Sequence, residues 1–294
     1  MRTRTLLAAI GTAFSISAAS ATQPAPGIQP RISVAVEGAG PDVILIPGLA
    51  SSREVWADLA AKLRQHHRLH LVQAAGFAGS PAVPSVDGQV AAPLAEAVAN
   101  YIRNERIEAP AVIGHSLGGE VALMLGARHP DQVGRLMVVD ALPFYTLLID
   151  PSATRETAGP QAAALREAML AAPVEQAETL QSATVARLVK TEGARPAVIA
   201  AALHSDRTTV ANAVHELMTT DLRAELDQIQ APMKVVYAYD PLYGVPASNV
   251  DALFGTAYAS AANVSFKRID GSFHFIMLDQ PEVFAGAVME FLAQ

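Results

Sequence analysis

Short continuous runs of apolar residues alternate with longer stretches of helical periodicity along most of this chain. The clearest run, residues 43–46 (Val-Ile-Leu-Ile), is typical of a strand buried on both faces of a sheet. Trp56, Leu59 and Leu63 then recur at helical spacing. The other strand-like runs are residues 32–36, 69–72, 111–113, 136–139, 235–238 and 264–269. This alternation predicts an α/β fold, with a mainly parallel central sheet flanked by helices.

The alternation stops between residues 141 and 230. This stretch has helical patterns, such as Val210, Val214 and Leu217, and it has no convincing strand. Because the strand pattern returns at Lys234, we interpret residues 141–230 as a helical cap inserted into the α/β unit rather than a separate domain. The α/β core is then expected to comprise residues 22–140 and 231–294.

Residues 1–21 carry the pattern of an export signal. Arg2 and Arg4 precede an apolar run over residues 6–17, and the segment ends in Ala-Ser-Ala at Ala21. A membrane anchor is the alternative, but the run is shorter than the ~20 residues needed to span a bilayer. We therefore expect export to the periplasm or medium after cleavage near Ala21, with no stable membrane anchor left.

Composition excludes several classes of function. The 294 residues include no cysteine, so a thiolate nucleophile, a disulfide and a thiolate metal site are all excluded. The formal net charge of −7 argues against a nucleic-acid partner, which normally requires a basic surface. No histidine pair has H-E-x-x-H spacing and there is no Cys/His cluster, so the sequence does not support a metal mechanism. We expect no cofactor. The sequence specifies no oligomeric state.

Residues 114–118 read Gly-His-Ser-Leu-Gly and fit the G-x-S-x-G pattern of a nucleophile elbow. The context supports this reading, because a strand-like run precedes the motif and a helical pattern follows it. Such a turn exposes the serine oxygen above the sheet, so Ser116 is the candidate nucleophile. The N–H of Leu117 would begin the helix and stabilise an oxyanion. His115, at the variable position, is expected to pack rather than react.

With this motif in place, the chain resembles the α/β-hydrolase superfamily, in its lid-bearing branch of small serine hydrolases. The resemblance extends over residues 32–292. It implies a second oxyanion donor in the loop at residues 46–50, where Pro47 replaces the usual histidine and has no N–H. Leu49 is the expected donor, with Gly48 as the alternative.

The family order is serine, then an acid, then histidine. Asp240 follows the strand-like run 235–239 and precedes Pro241, which is where the resemblance places the acid. Asp140 is the rival, because it ends another strand-like run and some relatives carry the carboxylate there. Asp240 is the predicted acid.

His274 is the expected catalytic histidine. It lies in a loop after the last strand-like run and before a final amphipathic pattern at residues 283–292, which resembles the family's histidine loop. Asp279 follows it closely and is interpreted as a turn residue.

These residues predict a serine hydrolase that cleaves a carboxylic ester of a small, apolar substrate through an acyl-enzyme. Lactones, amides and carbon–carbon bonds are alternative substrates for the same chemistry. A hypothesis of another class is a non-catalytic binding protein on a hydrolase scaffold, but such a protein would be expected to have a broken triad. All three positions are filled here.

Overall fold

The computed structural model describes residues 30–85 and 87–294. The predicted leader, residues 1–21, lies outside this part. Seven strands of the described chain form one sheet, in the order β1-β3-β2-β4-β5-β6-β7. Their bounds are β1 Ile32–Gly38, β2 Asp42–Ile46, β3 Arg68–Ala74, β4 Ala111–His115, β5 Arg135–Val139, β6 Met233–Tyr239 and β7 Val264–Asp270. Every predicted strand-like run therefore contributes to the sheet.

Only the edge strand β1 departs from a parallel arrangement. It pairs antiparallel with β3, whereas the pairs from β3 through β7 are all parallel. The mainly parallel sheet predicted from the alternation of runs is confirmed. Because parallel strands all end at the same edge, the loops after β2, β4, β5, β6 and β7 gather at its carboxyl edge.

Ten α-helices are found among the described residues. Their bounds are α1 Ala57–Leu63, α2 Ala91–Asn104, α3 Leu117–Arg128, α4 Arg155–Ala171, α5 Ala177–Leu188, α6 Arg195–Leu203, α7 Arg207–Thr219, α8 Ala247–Ala257, α9 Ile276–Asp279 and α10 Pro281–Leu292. Helices α4 to α7 all lie between β5 and β6, and residues 141–230 contain no strand. We call residues 141–230 the helical segment; its role as a cap stays a prediction.

The core has two layers, one on each face of the sheet. Alternate residues of the buried strands point to opposite faces, as the period of a strand requires. On β2, Ile44 and Ile46 pack in the layer with α2 and α3, whereas Val43 and Leu45 pack in the layer with α1 and α10. The sheet is therefore covered on both faces. Within residues 30–85 and 87–294, no helix has the length and apolar character required to cross a membrane.

The helical segment is divided between these two layers. Ala158 of α4 and Ala213 of α7 join the layer with α2 and α3. Val185 of α5 and Val198 of α6 instead join the layer with α1 and α10. The segment thus packs as two helix pairs, α4 with α7 and α5 with α6.

Candidate active site

Ser116 lies on the turn between β4 and α3, at the carboxyl edge of the sheet. Its backbone is in the left-handed region, with φ 53° and ψ −121°. Hydrogen bonds hold this strained conformation, because the Ser116 N–H donates to the Val139 carbonyl at 3.0 Å and its carbonyl accepts from Gly119 at 2.8 Å. The side chain is partly exposed. The elbow predicted from the motif is therefore the observed backbone geometry.

The two motif glycines permit close backbone contacts at this turn. A Cβ on Gly114 would lie 2.0 Å from the Gly118 carbonyl oxygen, and a Cβ on Gly118 would lie 2.3 Å from the Ile46 carbonyl oxygen. Both distances are too short for any other residue. The glycines therefore allow α3 to begin directly against the end of β2.

Two backbone N–H groups beside Ser116 are available to an oxyanion. Leu117 is the first residue of α3, and the first amides of a helix have no partner within it. The Leu49 amide donates no hydrogen bond to any described residue. The loop of Leu49 contacts the elbow, since a Cβ on Gly48 would lie 3.0 Å from the Ser116 Cβ. The geometry is compatible with both predicted donors.

His274 lies on the loop between β7 and α9, with 22% of its side chain exposed. Its ring is beside the elbow, because its centroid lies 4.6 Å from that of His115, the neighbour of Ser116. Nδ1 is 2.6 Å from Asp140 Oδ2. A carboxylate accepts, so Nδ1 carries the donated proton and Nε2 remains available as a base. The ring makes no hydrogen bond to the Ser116 hydroxyl in the described structure, and such bonds often form only when substrate binds.

The acid that contacts His274 is Asp140, and the prediction of Asp240 is wrong on this point. Asp140 follows β5, and its other oxygen, Oδ1, accepts from the Ala238 N–H at 2.8 Å. Asp240 instead accepts from Lys190 Nζ at 2.6 Å and from the Leu242 N–H at 2.9 Å. These two donors hold the pKa of Asp240 below its ordinary value, the lysine contributing most. Asp240 is thus an ion-paired carboxylate.

A sequence profile described as the alpha/beta hydrolase family matches residues 43–287. The chain belongs to the alpha/beta hydrolase family. The matched range includes the elbow, both aspartates and His274, so the resemblance read from the motifs is confirmed.

Similar proteins include one named as an esterase and two hydrolases of known structure. A protein of Yersinia enterocolitica named pimeloyl-[acyl-carrier protein] methyl ester esterase is 27% identical over 264 residues, covering 86% of this chain and 93% of its own. A hydrolase structure from Pseudomonas aeruginosa has a TM-score of 0.73 at 22% identity, covering 90% and 94% of the two chains. The enol-lactonase structure from Burkholderia xenovorans LB400 has a TM-score of 0.72 at 20% identity, covering 90% and 96%. The chain is an esterase-type hydrolase.

In this hydrolase, His115 supports the histidine loop, a contact that the sequence analysis missed. His115 is fully buried, and its Nε2 lies 3.0 Å from the His274 carbonyl oxygen. A carbonyl only accepts, so Nε2 carries the proton. Burial lowers the pKa of His115 well below its ordinary value, and the nearby His274 adds to this. The ring therefore stays neutral and acts as a hydrogen-bond donor to the backbone of His274.

Among the residues that the structure describes, no three His, Asp or Glu side chains are grouped as metal ligands would be.

Proposed function

We propose that this hydrolase cleaves a carboxylic ester of a small, apolar substrate, with Ser116 as nucleophile, His274 as base and Asp140 as the orienting acid. The observation that carries this proposal is the 2.6 Å contact between His274 Nδ1 and Asp140 Oδ2 beside a strained serine elbow. This contact fixes the tautomer in which Nε2 has a lone pair. A binding protein would not require that arrangement.

In the proposed reaction, Nε2 of His274 accepts the hydroxyl proton as Ser116 Oγ attacks the ester carbonyl carbon. The N–H groups of Leu117 and Leu49 stabilise the negative oxygen of the tetrahedral intermediate. His274 then gives the proton to the departing alcohol, which leaves an acyl group on Ser116. Water attacks this acyl-enzyme with the same imidazole as base, and the acid product departs. Asp140 stabilises the imidazolium at each stage.

The substrate class is inferred from the relatives and from the helical segment. The name of the Yersinia relative specifies a methyl ester, which supports an ester with a small alcohol as the leaving group. We propose that the helical segment acts as a cap over the carboxyl edge of the sheet. It is rich in alanine and has few aromatic residues, which suits a pocket for an apolar acyl group. Lactones, which are cyclic esters, amides and carbon–carbon bonds remain alternatives for the same three residues.

The test is turnover of the full mature chain and its variants on a panel of p-nitrophenyl esters of graded acyl length, with a lactone and an anilide. We expect ester hydrolysis by the wild type and a loss in kcat of roughly 10³–10⁶-fold in Ser116→Ala. Ser248→Ala, which removes an exposed hydroxyl from α8, is the matched control and should leave kcat unchanged. Absence of turnover in the wild type would favour the binding-protein hypothesis. Near-normal turnover in Ser116→Ala would overturn the assignment.

We also propose that the chain is exported and cleaved near Ala21. The support is the sequence pattern of residues 1–21, with two arginines, an apolar run and a small-x-small ending. Expression of the full chain in a bacterium, followed by fractionation and N-terminal sequencing, tests this. We expect mature protein outside the cytoplasm that begins at residue 22. A cytoplasmic, uncleaved chain would contradict the proposal.

A further inference from the structure

The connection between α5 and α6 lies directly against the loop that carries His274. The Phe275 N–H donates to the Leu188 carbonyl at 3.1 Å, so the residue after His274 is bonded to the end of α5. Two further residues of this connection, Lys190 and Thr191, direct their backbone N–H groups at the side chain of Asp279. The α5–α6 pair therefore contacts the histidine loop through its backbone.

Asp279 binds both sides of this contact. Its Oδ2 accepts from Lys190 N–H at 3.1 Å and its Oδ1 accepts from Thr191 N–H at 2.8 Å. Oδ2 also accepts from the Phe273 N–H at 2.9 Å, which belongs to the residue immediately before His274. Hydrogen bonds to a carboxylate are stronger than those between neutral groups. One side chain thus links the helical segment to the residue next to the proposed base.

Apolar packing brings the same two parts together. Val185, Val189 and Val198 of the α5–α6 pair are buried in one cluster with Phe275 and Ile276, which follow His274. Asp279 is half-buried, and its three donors belong to residues within two positions of Val189 or Phe275 in the chain. Buried apolar contacts are not directional, so the hydrogen bonds determine the relative position of the two backbones. Besides the single Phe275–Leu188 backbone bond, all three of those described above are accepted by the Asp279 carboxylate.

We propose that Asp279 is a positioning residue that couples the placement of the α5–α6 pair to the placement of His274. This inference rests on the proposed function, because it assigns His274 the role of base. With Asp279 intact, the α5–α6 pair is held on the histidine loop and Nε2 is aimed at Ser116. Without it, three backbone N–H groups lose their acceptor, and only the Phe275–Leu188 hydrogen bond and apolar packing hold the loop against the helical segment.

The test compares Asp279→Ala and Asp279→Asn with the wild type. A displacement of about 1 Å in a catalytic group can lower turnover by roughly 100-fold. We therefore expect Asp279→Ala to lower kcat by about 10- to 100-fold, with KM changed by less than about threefold. Asp279→Asn keeps one acceptor oxygen but turns an amide N–H₂ toward a backbone donor. Its kcat should lie between those of the wild type and Asp279→Ala.

A second readout separates positioning from damage to the fold. A fluorophosphonate reacts with Ser116 only when the base is in place, so its rate of labelling reports on His274, and its final stoichiometry reports the folded fraction. In both Asp279 variants we expect slower labelling that still reaches the wild-type stoichiometry. Asp206→Ala is the matched control. It removes a carboxylate that accepts the Thr209 N–H at 2.7 Å within the helical segment alone, so its labelling rate should equal that of the wild type.

Several results would overturn the inference. Wild-type kcat and labelling rate in both Asp279 variants would show that the carboxylate does not position His274. Reduced stoichiometry with an unchanged rate would assign Asp279 a structural role alone. If Asp279→Ala does not fold, Asp279→Asn decides the matter by the same criteria. Failure of the wild type to be labelled at all would instead count against the proposed function.

Discussion

Asp140 and Asp240 directly follow the neighbouring parallel strands β5 and β6, and their local surroundings determine which carboxylate reaches His274. Asp140 has a φ of 48°, a left-handed conformation that aspartate tolerates better than most residues. Its N–H donates to the Val236 carbonyl at 2.7 Å, which holds this turn at the end of β5. Asp240 instead begins a short turn and pairs with Lys190, a residue 50 positions away in the chain. That distant partner leaves no local signal in the sequence.

The two aspartates give a paired prediction. Asp140→Asn should lower kcat by roughly 10³–10⁴-fold, because an amide N–H₂ facing Nδ1 favours the tautomer whose Nε2 carries a proton and cannot act as a base. Asp240→Asn should change kcat by less than about tenfold, since its carboxylate contacts Lys190 rather than His274. Steady-state hydrolysis of one ester by both variants shows which aspartate orients His274. The reverse ranking would restore Asp240 as the orienting acid.

Glu120, one turn into α3, is a buried carboxyl that the proposed chemistry does not use. It is 2% exposed, and burial, followed by the nearby Glu216 carboxylate, raises its pKa to about 8 from an ordinary 4.5. Glu216 already serves a structural purpose, because it accepts the backbone N–H groups of Val90, Ala91 and Ala92 at the start of α2. Glu120 is therefore protonated in the folded protein at neutral pH.

Stability should depend on pH through Glu120. Between about pH 4.5 and 8 the unfolded chain releases a proton that the folded chain retains, so the free energy of unfolding falls as pH rises. The slope from this group approaches ~1.4 kcal/mol per pH unit. In Glu120→Gln, the free energy of unfolding should fall less steeply as pH rises. Denaturant unfolding at a series of pH values from 5 to 8 measures this. Exposed Glu178→Gln is the control and should follow the wild type. Parallel curves for Glu120→Gln and the wild type would contradict this.

At the scale of elements, the elbow depends on a contact between the start of α3 and the end of β2. Gly118→Ala would place a Cβ 2.3 Å from the Ile46 carbonyl oxygen and 2.6 Å from that of Pro47. We expect a loss of about 1–3 kcal/mol in the free energy of unfolding, together with lower kcat because the Leu117 N–H moves with α3.

A second glycine offers a control whose replacement should stabilise the protein rather than destabilise it. Gly255 lies inside α8, and a Cβ there meets nothing within 4 Å. Gly255→Ala should therefore raise the free energy of unfolding by about 0.4–1 kcal/mol, because alanine lowers the conformational entropy of the unfolded chain. Urea unfolding of Gly118→Ala and Gly255→Ala measures the two changes in the free energy of unfolding. Equal effects at the two positions would contradict the role given to the Gly118 contact.

The sequence predicted elements well because the signals are local. All seven apolar runs lie within strands, and the serine elbow follows from five consecutive residues between a strand and a helix. The division of the helical segment between two core layers was not predictable in this way. It depends on which helices pair, α4 with α7 and α5 with α6, and on which core layer each pair joins. The period of any one helix specifies neither.

At the scale of the whole molecule, the parallel sheet brings together residues that are distant in sequence. Ser116, Asp140 and His274 follow β4, β5 and β7, and all three lie at the carboxyl edge. Sequence order and strand ends were enough to place Ser116 and His274 at this edge. They did not distinguish the two candidate acids, because β5 and β6 are each followed by an aspartate at the same edge. Side-chain partners, not strand order, distinguish the two.

The central claim is that Ser116 is the nucleophile of an acyl-enzyme mechanism. The most direct measurement is to react the protein with a fluorophosphonate, digest it, and locate the phosphonyl group by mass spectrometry. We predict one adduct per chain, on Ser116, formed in parallel with loss of ester hydrolysis and absent from Ser116→Ala. Full loss of activity with the adduct on another residue, or full activity retained with Ser116 completely modified, would contradict the claim.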